Sequence, residues 1–108
     1  MKRGEIWTAA AGEPFSNKPA PVLIVQRDIA IPVHQSIIVC RITSNIAELP
    51  FMRLRIVPDE NNGLMIESDV MADKVLTLKK TKLAQRIGTI TQDEAERLDA
   101  LLLFWMGL

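Results

Sequence analysis

The sequence predicts a mainly β fold with some α: a small, partly closed barrel of five or six short strands, finished by one helix. Two observations carry this. Short apolar runs are separated by clusters of Gly, Pro, Ser, Asn and Asp, which is the punctuation of an all-β chain. A single long segment with helical periodicity follows only at the end, so the strands come first and the helix packs onto them.

Gly4 to Ala9, "GEIWTA", is the first strand, and "AAGEPFSNKPAP" after it is a loop by composition. Val22 to Gln26 is the second strand; its unbroken apolar run implies burial on both faces. "RDIAIPVHQ" leads to a third strand, Ser36 to Thr43. Arg53 to Val57 alternates polar and apolar, as a half-exposed strand does, and "PDENNG" reads as a turn. "SDVMADKVLTL" carries a fifth strand and "RIGTI" a short sixth. The helix opens on a capping box, Thr91-Gln92-Asp93-Glu94, in which the Thr91 hydroxyl and the Glu94 carboxylate satisfy each other's backbone N–H. Ala95, Leu98, Leu102 and Trp105 recur at helical spacing. Beyond Leu101 the helix is apolar on nearly every side, "LLLFWMGL". A lone surface helix does not do this, so burial against a second subunit, a homodimer, is expected.

The bulk properties narrow the function. The 108 residues are enough for one domain, 1–108, with a single core. Thirteen basic residues balance thirteen acidic ones, so any basic surface for nucleic acid must be local. Cys40 is the lone cysteine, which rules out an intrachain disulfide, and it lies in an apolar strand pattern that marks it as a packing residue. Cys40 and the lone His34 do not furnish a metal site; no metal and no cofactor is expected. No apolar run approaches the ~18 residues of a membrane span, and the basic "MKRGEIW" start lacks an apolar signal core. A cytoplasmic protein that engages no membrane is expected.

"MKRGEIW", then "KPAPVLIVQRD" and "IVCRITS", resemble the MazF/PemK-type toxins of bacterial type II toxin–antitoxin pairs. The likeness spans the chain and is specific in its first 45 residues. It implies an SH3-like barrel of five to seven strands with a C-terminal helix, and a homodimer. It further implies a metal-independent endoribonuclease that cuts single-stranded mRNA at short motifs. The implied partner is a cognate antitoxin whose disordered, acidic C-terminal segment covers the RNA groove. The family's catalytic pair is an arginine opening the second strand and a threonine ending the third. The threonine matches Thr43; the arginine position matches Ala20.

Metal-free RNA cleavage uses the ribose 2′-OH as nucleophile and builds charge on a phosphorane. An arginine would meet that charge with a planar fork; alanine offers nothing. Two accounts of Ala20 stand. One is divergence, with Lys18, Arg27 or Arg41 supplying the cation; the other is a deliberate arginine replacement. The intact flanks Pro19, Pro21 and Gln26 favour the second. The chain as written is expected to bind RNA weakly and cleave it poorly.

The remaining substrate-binding candidates are weaker. Thr43, with Ser44 and Asn45 after it, could simply bond its own turn; the resemblance puts its catalytic role first, with Ser44 beside it. Lys18 and Arg27, like Arg41, Lys74, Lys79, Lys80 and Lys82, read individually as solvated surface cations. Gln26 and Asp28 stand equally as substrate contacts and as a polar strand end. Asp73 matches an acidic residue some family members use, although pairing with Lys74 accounts for it better. His34 and the aromatics Trp7, Phe104 and Trp105 read as a loop residue and packing groups. A rival resemblance lies in the tail: Trp105 to Leu108 is similar to the end of the CcdB-type gyrase poisons, with Met106 interrupting the match.

Overall fold

The computed structural model describes residues 1–10 and 18–108; residues 11–17 of the expected first loop lie outside the described residues. Six strands form one antiparallel sheet: β1 (Glu5–Ala9), β2 (Ala20–Ile24), β3 (Ser36–Thr43), β4 (Arg53–Ile56), β5 (Ser68–Lys79) and β6 (Leu83–Thr89). Their order across the sheet is β4-β5-β3-β2-β1-β6. The helix α1 (Gln92–Met106) follows, capped by Thr91 and Glu94 as the sequence implies. Its end is closed by Gly107 in the left-handed region at φ 70°, which a glycine adopts without strain.

The strand that is apolar throughout is buried on both faces. Leu23 joins Ile6, Cys40, Ile42, Leu54, Ile56, Val70 and Ala72 in the core under α1, to which Leu98 and Leu102 contribute. Val22 and Ile24 point the other way, into a second core with Ala9, Ile31, Ile37, Val39, Leu78 and Leu83. Cys40 is fully buried, and that burial pushes its thiol up to about 12, with Asp73 adding to the rise and Arg3 opposing it. It is a packing residue, not a nucleophile.

Two features curve the sheet into a barrel. Between Cys40 and Ile42 of β3 the register with β5 slips, so that four residues of β5 face one of β3; a bulge of this kind bends and twists a strand. The turn after β4 then reaches the opposite edge, where the Thr89 amide donates to the Asn61 carbonyl at 2.9 Å. Gly88 makes this approach possible: a Cβ there would sit 2.2 Å from the Asn62 carbonyl carbon. The fully buried Asn62 holds the turn from within, donating to Val57 O at 2.9 Å and accepting from Leu64 N at 3.0 Å.

Three elements differ from the sequence reading by more than a residue at an end. The second strand runs Ala20–Ile24, not 22–26, because Ala20 and Pro21 pair with Ala9 and Thr8 of β1. At its far end the Gln26 side chain replaces the ladder, accepting from Ile38 N at 2.9 Å and donating to Ala30 O at 3.1 Å. The sixth strand begins at Leu83, three residues early; two register shifts against β1 break the alternation that would have marked it. Asp28–Val33, read as a connection, is a short 3-10 helix.

Candidate active site

The Pro-Ala-Pro step and the end of β3 meet. Val22 pairs with Arg41, Leu23 with Cys40 and Ile24 with Val39. Carried two residues further, the same register would bring Ala20 alongside Thr43. The ladder stops short of that pair because Pro21 has no amide to give it. Ala20 and Thr43 are both half-buried and line a cleft of about 470 Å³.

Lys18, Arg41 and Ser44 stand on the walls of that cleft, and Gly63 to Ile66 form part of its rim. Met65 is 91% exposed there. The structure therefore gathers Lys18, Ala20, Thr43 and Ser44, four of the residues singled out from sequence. Of the three cations that could stand in for an arginine at position 20, it brings Lys18 and Arg41 to the cleft and leaves Arg27 elsewhere.

The Thr43 hydroxyl accepts a hydrogen bond from the Asn45 amide at 3.1 Å. The local turn bond is thus real, and it does not exhaust the group. The hydroxyl oxygen is engaged as an acceptor, which leaves its O–H to donate. That is the polarity a phosphate oxygen would need.

Gln26, Arg27, Asp28 and Asp73 lie outside the cleft. Gln26 is buried and engaged with backbone, as described above. Asp28 accepts from the Arg3 amide at 2.6 Å and so ties down the N-terminus. Arg27 lines a different, mostly apolar groove of about 730 Å³ with Gln26, His34, Ile38, Leu103 and Met106. Asp73 sits exposed in the bulged stretch of β5. Lys80, one of the surface cations, donates to the Ile31 carbonyl.

A second polar group close behind Thr43 was missed from sequence. Asp69, paired with Thr43 across β3 and β5, is 1% exposed. Its carboxylate receives Arg55 Nε at 2.6 Å, Arg53 Nη1 at 3.2 Å and the Ala47 amide at 3.0 Å. Burial alone would raise its pKa; the bonds from Arg55, Ala47 and Arg53 outweigh it and hold the carboxyl below the usual range. The signal was available in "RLRI", where two arginines two apart fall on one strand face. What could not be read was the acid they share. Among the described residues no group of three or more His, Cys, Asp or Glu side chains converges as a metal site. Nor is any described helix long and apolar enough to cross a membrane.

Comparison with known proteins bears on this cleft. Residues 2–106 match the family described as "PemK-like, MazF-like toxin of type II toxin-antitoxin system". The chain is 37% identical over 108 residues to the "Probable endoribonuclease MazF" of Mycolicibacterium smegmatis, covering 100% of this chain and 98% of that one. It is 31% identical over 106 residues to "Endoribonuclease MazF6" of Mycobacterium tuberculosis, covering 92% and 90%. Among solved structures, the Mycobacterium tuberculosis toxin MazF-mt6 superimposes with a TM-score of 0.80 at 25% identity, covering 96% of this chain and 97% of that one. A mycobacterial endoribonuclease in complex with its cognate antitoxin gives 0.80 at 21% identity, over 100% and 96%; at that identity the likeness speaks for the fold. These similarities include the C-terminal helix and do not support the gyrase-poison reading of Trp105 to Leu108. In the fold, the Trp105 indole donates to the Phe51 carbonyl.

Proposed function

This chain belongs to the PemK-like, MazF-like toxins of type II toxin–antitoxin systems, and we propose that its 1–108 domain is the endoribonuclease toxin, with the Ala20–Thr43 cleft as its reaction site. The observation that carries the reading is convergence: Thr43, Ala20, Lys18 and Arg41 line one cleft.

The reaction that fits is metal-independent cleavage of single-stranded mRNA at short sequence motifs. The ribose 2′-oxygen bonds to the adjacent phosphorus, the bond from phosphorus to the 5′-oxygen breaks, and a 2′,3′-cyclic phosphate remains. The proton lost from the 2′-OH must be accepted, and the departing 5′-oxygen must receive one. Thr43 donates its hydroxyl hydrogen to a non-bridging phosphate oxygen, with the acceptor side of the hydroxyl already fixed by Asn45. Lys18 and Arg41 supply positive charge where the phosphorane gathers negative charge. Ser44 is a secondary contact on the same wall.

Ala20 supplies neither charge nor proton. Loss of one such charge-stabilising donor costs ~10²–10³ in rate, so the chain as it stands cleaves weakly. Pro19 and Pro21 fix the backbone on both sides of residue 20. An arginine there would face Thr43 across one phosphate, on strands and not on a loose loop.

The toxin acts in the cytoplasm as a homodimer. Leu103, Phe104, Met106 and Leu108 of the helix end are at least half exposed in the single chain, beside the apolar groove, and a second copy would cover them. A cognate antitoxin with a disordered acidic C-terminal segment would fold over the cleft and block RNA.

The test is Ala20→Arg. We expect it to raise cleavage of varied single-stranded RNA by about 100-fold or more, from the rate cost of one missing donor, unaffected by EDTA and leaving a 2′,3′-cyclic phosphate. Thr43→Val on that background should abolish the gain. A folded Ala20→Arg chain that leaves all RNA intact defeats the reading.

A further inference from the structure

We infer that Arg53 and Asp69 position the Thr43 hydroxyl by holding the backbone of Asn45, whose carbonyl Arg53 grips and whose N–H meets Thr43; this rests on the reading of Thr43 as a catalytic group. Hydrogen bonds on both sides of the Asn45 backbone join them. Thr43 Oγ1 accepts from Asn45 N at 3.1 Å. The Asn45 carbonyl accepts from Arg53 Nη1 at 2.9 Å. The same Nη1, through its other hydrogen, donates to Asp69 Oδ2 at 3.2 Å. One guanidinium nitrogen thus holds the Asn45 residue on one side and a buried carboxylate on the other.

The arrangement is anchored at both ends. Asp69 sits directly across from Thr43 in the β3–β5 register and across from Arg55 in the β4–β5 register. Arg55 donates its Nε to the other carboxylate oxygen and its Nη2 to the Ala47 carbonyl at 3.2 Å. Asp69 Oδ2 also takes the Ala47 amide. The segment after Thr43 is exposed at Ser44, Asn45 and Ile46. With few apolar contacts of its own, it is held by this cluster.

The chemistry of the cluster argues for positioning over stability. Arg53 is 19% and Asp69 1% exposed, and an ion pair taken so far out of water often adds no net stability over an apolar replacement. What it does supply is direction: the fork of Arg53 fixes both its acceptors in the guanidinium plane. A hydroxyl that accepts from a fixed N–H presents its own hydrogen along a defined line. Displacing that line by an ångström is enough to slow a reaction on the order of 10²-fold.

Two readouts test this on the intact chain. Amide hydrogen exchange reads the relay without any activity: Arg53→Met should speed exchange at Asn45 at least tenfold while β3 core amides keep their protection. Unchanged Asn45 exchange in folded Arg53→Met overturns the inference. Should that variant unfold, Arg53→Lys serves, since it keeps a charge beside Asp69 and gives up the fork. On the Ala20→Arg chain, Arg53→Met should lower kcat on RNA roughly tenfold to a hundredfold with KM within about twofold. On Thr43→Val the same change should cost nothing further, because residues that act through one group are not additive. An undiminished kcat loss on Thr43→Val, or a loss confined to KM, also overturns it. Failure of Ala20→Arg to cleave RNA at all is the separate failure of the endoribonuclease reading, and the exchange result then decides the relay by itself.

Discussion

Asn62→Ala should loosen the barrel at the point where its two edges meet. Asn62 is fully buried in a turn that is otherwise exposed at Asp59, Glu60 and Asn61. Its amide nitrogen donates to Val57 O at 2.9 Å; its oxygen accepts from Leu64 N at 3.0 Å and, at greater length, from Asp59 N at 3.3 Å. Alanine leaves the two closer backbone partners without a protein group. A buried polar group left unpaired costs about 1–3 kcal/mol. Two such groups, discounted because water can enter the space beside an exposed turn, come to about 3 kcal/mol. For a domain of this size that is a fall in Tm of about 10–20 °C. Asn61→Ala is the control: Asn61 is exposed, and it is its backbone carbonyl, not its side chain, that takes the Thr89 amide. Thermal unfolding followed by circular dichroism, at one protein concentration, measures both variants. An Asn62→Ala midpoint within about 3 °C of the parent, well short of that fall, would show that the turn does not hold the barrel shut. RNA binding should weaken in the same variant, because Gly63 to Ile66 form part of the cleft rim.

Acid should act through Asp69. Its folded-state pKa is lowered, so the stability it lends is present above its unfolded value of about 4 and is lost as pH falls through the lower folded value; Asp69→Asn should flatten the acid limb of a stability–pH curve below about pH 4, and an unchanged limb would deny the carboxylate that part. Leu103→Glu should shift the chain from dimer to the 12.1 kDa monomer in sedimentation, because Leu103 is half exposed beside the apolar groove and would bring an unpaired carboxylate into the interface. A parent that sediments as a monomer at micromolar concentration defeats the homodimer outright.

Local chemistry wrote much of this protein into its sequence. The capping box at Thr91 and Glu94 needs only four neighbouring residues, and it formed as read. "RLRI" alternates in burial, and the apolar Val22 to Ile24 run is buried on both faces, because strand side chains alternate with a period of two. Thr43 and the slot at Ala20 are named through the family resemblance; the local pattern by itself reads Thr43 as a threonine bonding its own turn. Tertiary structure decided the rest. Whether Lys18, Arg27 or Arg41 stands near Thr43 depends on register between strands far apart in the chain, and register is a long-range property. Gln26 stands equally in sequence as a substrate contact and as a plain polar strand end; only the fold shows its amide spent on Ile38 and Ala30. Asp69 showed no local sign, being one acid in a strand of mixed character. Its role appears only when β5 lies between β3 and β4. Arg53 and Arg55 then surround it, and a buried charge must find its partners in space.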